Sequence, residues 1–241
     1  ACSARGRRMI FRQLFESQSS AYTYLLGCEE SREAALIDPV LETVERDLAL
    51  LADLDLTLRY TIETHIHADH VTGASVLKKR TGCKAAVPER SMATHVDLPV
   101  RDGEPIRVGT LELQPLYTPG HTDDHFSYHL SEPEAPRVFT GDALLIGGCG
   151  RTDFQNGDAA TLYRSVHTRL FTLPDETLVY PGHDYQHRSA SSIGQERNRN
   201  PRLGGGRTLE EFVAIMAGLN LPRPKRMDEA VPANRECGQV H

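Results

Sequence analysis

Residues 64–70 read Thr-His-Ile-His-Ala-Asp-His and close an alternating run, Leu58 to Thr64, whose period of two marks a β-strand. Three imidazoles and a carboxylate, His65, His67, Asp69 and His70, fall within six residues. Delivered from one short loop, such groups can surround a divalent metal without a large rearrangement of the backbone. Strand alternation is expected to place His65 and His67 on the same side. A merely solvated loop would leave three histidines without a common partner, so the metal reading is preferred. After the motif, Thr72 to Arg80 has helical spacing with Gly82 as terminator, which gives strand, loop and helix in succession.

Upstream, strands are expected at Ile10–Phe15, Tyr22–Leu26 and Ala34–Ile37, with a polar turn at Glu29–Arg32. Thr43 to Leu54 sets Val44, Leu48, Leu51 and Ala52 at helical spacing, so one face can be buried. Downstream, β character returns near Leu111–Tyr117, Phe126–Leu130 and Val138–Thr140, with Gly109 at a turn. Helices are expected at Ala159–Leu170 and Ser191–Asn198, with a short strand at Leu178–Tyr180 between them. Thr208 and Glu211 form a capping box ahead of a helix at Phe212–Leu219, and Gly204 to Gly206 reads as the loop before it. Strands and helices thus alternate in two successive halves, an α/β pattern. A single domain is expected over residues 10–241 with a short C-terminal helical extension. Residues 1–9 are expected to be disordered or a cloning remnant, with Met9 as the natural start.

Three more candidate ligands each sit in a glycine-containing turn after an expected strand: His121 in TPGHT, Asp142 in TGDAL and His183 in YPGHD. Glycine before the ligand lets the backbone approach a metal closely. Singly each is an ordinary turn residue, but in this order after HxHxDH they are specific, and at this point the sequence resembles the metallo-β-lactamase superfamily. That resemblance implies an αββα sandwich of two facing mixed β-sheets with helices outside. All seven residues of the two-metal site of glyoxalase II and β-lactamase relatives are present: His65, His67 and His121 for one metal, Asp69, His70 and His183 for the other, and Asp142 bridging. Ligand identity alone leaves the branch open. The segments SREAALIDPVLET (31–43), GDALLIGGCGRTDFQNG (141–157), ERNRNPRL (196–203) and VPANRECG (231–238) resemble the persulfide dioxygenases.

The resemblance implies a single Fe(II) per chain on His65, His121 and Asp142, with His67, Asp69, His70 and His183 around the ligands. It implies oxidation of glutathione persulfide by O2 and water to sulfite and glutathione, a step of sulfide detoxification. The alternative is a dinuclear zinc thioester hydrolase of glyoxalase II type. A facial triad leaves three positions open for water, a persulfide sulfur and dioxygen, and Zn²⁺ has no redox step to offer. His183 and Tyr185 are the catalytic candidates, and Tyr185 also matches a family tyrosine placed to hydrogen-bond substrate. A glutathione carboxylate calls for a local cation in a chain of net charge −6; Arg151 is the first candidate and Arg202 the second. Cys149 reads as a small buried hydrophobe with no base beside it. His125 stands where relatives often have Pro and Gly, and it shares a strand face with His129. His95, His167, His187 and His241 match nothing and are expected on the surface.

With 33 acidic and 27 basic residues, the chain carries no basic field to attract nucleic acid. No apolar run approaches the roughly 18 residues of a transmembrane helix, so no membrane partner is expected. The five cysteines, Cys2, Cys28, Cys83, Cys149 and Cys237, form no CxxC pair and suggest a reducing compartment, cytoplasmic by default with the mitochondrial matrix as the alternative. A homodimer is left open, since symmetric dimers are simply common.

Overall fold

The apolar runs of the first half pair almost in chain order. In the computed structural model, which describes residues 9–132 and 135–239, they build a six-stranded sheet of β1 (Met9–Phe15), β2 (Tyr22–Cys28), β3 (Glu33–Ile37), β4 (Thr57–Ile62), β5 (Lys84–Pro88) and β6 (Leu98–Val100), ordered as numbered. β1, β2 and β3 are antiparallel neighbours, whereas β3 through β6 run parallel. Parallel neighbours need a crossover, and α1 (Val44–Asp53) and α2 (Ala74–Thr81) supply the first two.

The second sheet contains β7 (Ile106–Val108), β8 (Leu111–Tyr117), β9 (Phe126–Leu130), β10 (Arg137–Gly141), β11 (Leu178–Pro181) and β12 (Ser191–Ser192), in the reverse of chain order from one edge. Only β10 and β11 are parallel, joined through α3 (Ala159–Ser165) and the π-helical turn Val166–Leu170 that continues it. Then follow α4 (Ile193–Arg199), α5 (Leu209–Ala217) and α6 (Met227–Arg235).

Between the sheets, Tyr24, Leu26, Ile37 and Ile62 from one side meet Leu113, Tyr128, Phe139 and Tyr180 from the other. The outer faces are covered too: Leu25 and Leu36 pack with Leu51 and Leu77 of α1 and α2, while Val138 and Val179 pack with Leu162, Ile193 and Phe212. Strands buried on both faces explain why β2 and β3 read as continuous apolar runs. The expected αββα sandwich is therefore present. Two tyrosine hydroxyls bolt the sheets together, Tyr24 donating to Pro181 O at 2.6 Å and Tyr128 donating to Glu63 O at 2.6 Å.

Several expectations are corrected. Met9, grouped with the residues expected to be disordered or a cloning remnant, opens β1, and residues 1–8 lie outside the described residues, as do Cys2 and His241. Strand β4 ends at Ile62, so His65 and His67 lie beyond it and no strand alternation sets their directions. β5, β6, β7 and α6 were not read from the sequence. His167, expected on the surface, is half-buried and stacks on Tyr163 at 3.8 Å. The capping box at Thr208 and Glu211 forms as read.

Candidate active site

Loops at the carboxyl ends of β4, β10 and β11 and in the β8–β9 hairpin converge at one end of the sandwich. Asp38, just after β3, accepts from the Thr64 backbone N–H at 2.7 Å and from the Thr64 hydroxyl at 2.9 Å. With its hydroxyl hydrogen committed, Thr64 Oγ1 accepts from His65 Nδ1 at 2.9 Å, which leaves Nε2 of His65 as the lone-pair nitrogen. His121 reaches the same state by another route: its Nδ1 lies 2.7 Å from Arg151 O, a carbonyl that can only accept. Asp142 Oδ1 accepts from His183 Nδ1 at 2.7 Å, and Oδ2 lies 3.5 Å from His121 Nε2. One donor atom from each of His65, His121 and Asp142 falls within 4.8 Å of the others.

The electrostatics suit a cation. Burial, reinforced by His67 and His121, presses the His65 imidazole well below the usual histidine range, so it stays neutral. Burial alone would raise the Asp142 carboxyl, but the adjacent His183 and His121 hold it below the usual carboxylate range. Burial would likewise lower His183, yet Asp142 and Asp69 hold it well above its ordinary value.

The remaining motif residues are held in other ways. Asp69 Oδ2 accepts from His70 Nδ1 at 2.8 Å and from His183 Nε2 at 2.9 Å. His183, expected to be catalytic, therefore has both ring nitrogens engaged by carboxylates. His67 turns its Nε2 toward Asp38 Oδ1 at 3.1 Å and Glu63 Oε2 at 3.5 Å; it lies outside the first three donors, but its donor atoms also converge within 4.8 Å with those of Asp69 and His70, and with those of Asp38 and Glu63.

Sequence reading missed the residues that hold the donors in place. His125 is fully buried, and its Nε2 accepts from the Asp142 N–H at 3.1 Å. Its Nδ1 therefore carries the hydrogen and lies 3.0 Å from Thr118 Oγ1. Burial, then the proximity of His121, brings its pKa down to about 3, so it remains a neutral acceptor. Ile66, between the two histidines, is gripped on both sides: its N–H donates to Asp124 Oδ2 at 3.0 Å and its carbonyl accepts from Gln155 Nε2 at 2.7 Å. Asp38 and Gln155 stand in the LIDP and DFQNG segments, but pattern alone gave no sign of what they hold.

A cavity of about 540 Å³ opens beside the donors, lined by Asp69, His121, Asp142 and His183 on one side and by Leu145, Ile146, Phe154, Leu221, Pro222 and Pro224 on another. Tyr185 is 72% exposed in its wall and stacks on His183 with ring centroids 6.3 Å apart. Arg151 lines the cavity, but its guanidinium is largely committed. It grips both oxygens of Asp153 at 2.6 and 2.8 Å and donates to Pro222 O at 2.6 Å and Leu221 O at 3.3 Å. Arg202 also lines it and donates to Cys149 O at 3.0 Å through one terminal nitrogen. Among the described residues no carboxylate pairs with Arg202. Cys149 is buried, and burial raises its thiol to about 11, as expected of a packing residue.

Comparison with known proteins gives concordant results. Residues 18–183 match the metallo-beta-lactamase superfamily. Over 237 residues the chain is 50% identical to the mitochondrial persulfide dioxygenase ETHE1 of Mus musculus, covering 98% of this chain and 91% of that one. It is 50% identical over 234 residues to the protein of the same name from Homo sapiens, covering 97% and 90%. The crystal structure of ETHE1 from Myxococcus xanthus superposes with a TM-score of 0.92 at 57% identity, covering 96% of this chain and 100% of that one.

Proposed function

Since the chain belongs to the metallo-β-lactamase superfamily and, within it, to the persulfide dioxygenases, we propose that one Fe(II) per chain, held by His65, His121 and Asp142, serves the oxidation of glutathione persulfide. The enzyme is an oxidoreductase. In the reaction, glutathione persulfide, O2 and water give glutathione, sulfite and two protons. The outer sulfur loses four electrons and O2 gains them.

The observation that carries the metal reading is the convergence of two lone-pair nitrogens and one carboxylate oxygen, with His67 outside the group. Two imidazoles and a carboxylate are a donor set that would suit non-haem Fe(II). When bound, that iron supplies electron exchange with O2, which zinc cannot. The chain contributes orientation. Thr64 and the Arg151 carbonyl fix the tautomers of His65 and His121, and His183 holds one oxygen of Asp142 so that the other is free. We assign His183 to that holding role, because neither of its nitrogens is left to exchange a proton with substrate.

The cavity volume lies within the range of about 300–1,000 Å³ usual for small-molecule sites. Its apolar wall excludes water from the sulfur, and the Tyr185 hydroxyl is assigned to hydrogen-bond the bound persulfide. Arg202 is the first choice for a glutathione carboxylate, and Arg151 fixes the wall formed by Leu221 and Pro222. A reducing compartment, cytoplasm or mitochondrial matrix, suits the four buried free cysteines, and no described helix is long and apolar enough to cross a membrane.

Elemental analysis of protein purified without added metal, paired with O2 uptake and sulfite formation on glutathione persulfide, tests the proposal. One iron per chain with one sulfite per O2 is the expected result. Two zinc per chain, or thioester hydrolysis without O2 uptake, would overturn it.

A further inference from the structure

We propose that Asn234, on α6, is a positioning residue for the metal site, acting through the backbone of residues 67–72; this rests on the reading of His65, His121 and Asp142 as the metal-holding set. Asn234 is 3% exposed, and its side-chain bonds all go to that loop. Nδ2 donates to His67 O at 2.9 Å and to His70 O at 2.9 Å, and Oδ1 accepts from the Thr72 N–H at 2.8 Å. A carboxamide is suited to this task because it offers two donors and an acceptor in one plane. Residues 67, 70 and 72 are buried, and among the described residues the His67 and His70 carbonyls and the Thr72 N–H find their partner in Asn234, so its loss would leave buried backbone groups unsatisfied.

The helix that presents Asn234 is itself seated against the loop's surroundings. Cys237 O accepts from Ser75 N–H at 3.0 Å, and Arg235 O accepts from Thr94 N–H at 2.7 Å. Gly238 has φ +80° and lies so near that a Cβ there would fall 2.2 Å from Thr72 O. Both the first turn of α2 and the chain after β5 are thereby tied to the end of α6.

From the clamped loop a run of hydrogen bonds leads to a candidate ligand. His70 Nδ1 meets Asp69 Oδ2 at 2.8 Å, the same oxygen meets His183 Nε2 at 2.9 Å, and His183 Nδ1 meets Asp142 Oδ1 at 2.7 Å. Asn234 holds the carbonyl of His70, so it fixes the near end of the run whose far end decides which oxygen of Asp142 faces the metal. Groups bonded directly to a ligand are worth about 10- to 100-fold in metal affinity, and Asn234, which acts through His70, Asp69 and His183, is expected at the lower end of that range.

The test compares metal-loaded full-length wild type with Asn234→Ala, Asn234→Asp and Ala230→Gly. Asp keeps the size and the acceptor toward Thr72 but sets a carboxylate against two carbonyls, whereas Ala230→Gly loosens the same helix and leaves the Asn234 amide in place. The readouts are the rate of metal release to a chelator, the visible spectrum of the Co(II)-loaded protein, the melting temperature and steady-state kinetics. Both Asn234 variants should release metal about ten-fold faster or more and shift the Co(II) bands, with the loss falling on kcat and KM moving less than about two-fold. Ala230→Gly should lower the melting temperature while metal release stays near that of wild type. Wild-type release rates in the Asn234 variants would overturn the proposal, as would equal release from Ala230→Gly at a matched loss of melting temperature. The metal content and O2 uptake of the wild type report separately on the iron reading, and Co(II) release reads Asn234 whichever metal the cell supplies.

Discussion

Replacing His121 or Asp142 with alanine removes one of three donors that converge within 4.8 Å, and each change is expected to abolish iron retention and O2 uptake together. His70→Ala, outside that set, should keep at least part of the iron; if it strips the metal as fully as His121→Ala, the single-iron assignment fails. Arg202→Ala should raise KM for the persulfide with iron content intact. The expected cost is roughly 1.5–3 kcal/mol in kcat/KM, the range for a hydrogen bond to a charged group. A loss confined to kcat would reassign Arg202. The candidate ligands were legible because their chemistry is written in residue type and order: HxHxDH, then GH, GD and GH. What each arginine does was not legible. The sequence ranks Arg151 ahead of Arg202, and only folding shows that Asp153 and two backbone carbonyls have claimed the first. His125 was noted only as a departure from its relatives, and its role stayed hidden for the same reason, since its acceptor function depends on Asp142 arriving from another strand.

At the level of elements, the long amphipathic or alternating segments were legible, and the failures were physical ones. β6 and β7 have three residues each, too few to show a period, and α6 carries Pro232 in its interior, which masks a helical pattern. The end of β10 makes a sharper test. Gly141 has φ +47°, and a Cβ there would lie 2.5 Å from His125 Nε2 and 2.8 Å from Thr64 Oγ1. Gly141→Ala is therefore expected to cost about 1–3 kcal/mol and to weaken metal retention, because the strain falls on the residues that orient Asp142 and His65. Unchanged melting and metal content would show that the turn has slack. In α1, burial lifts the Asp47 carboxyl from 3.8 to about 6 against the pull of Arg46. Its folded pKa exceeds its unfolded one, so the native state holds the extra proton between those values and stability falls as pH rises through that window. Asp47→Asn keeps an acceptor for Arg46 Nε, now at 2.9 Å. It should gain up to roughly 3 kcal/mol over wild type by pH 7, with little gain at pH 4. Denaturation midpoints across that range measure it, and a pH-independent difference would refute the assignment.

For the molecule as a whole, metal is linked to folding by mass action. Holding free metal near 1,000 times its dissociation constant stabilises the native state by about 4 kcal/mol, on the order of 10 °C in a chain of this size. Stripping the metal should return that amount, as read by calorimetry with and without chelator. The way this energy divides between rates follows from where the donors arise. His65 follows the fourth strand of one sheet, whereas His121, Asp142 and His183 come from turns of the other. A chain with only one sheet formed offers at most two of the three donors, His121 and Asp142, so the cofactor's full grip forms only when the sandwich has closed. It should therefore leave the refolding limb of a denaturant chevron where it is and lower the unfolding limb, acting as a brake on escape from the native state and not as a template for reaching it.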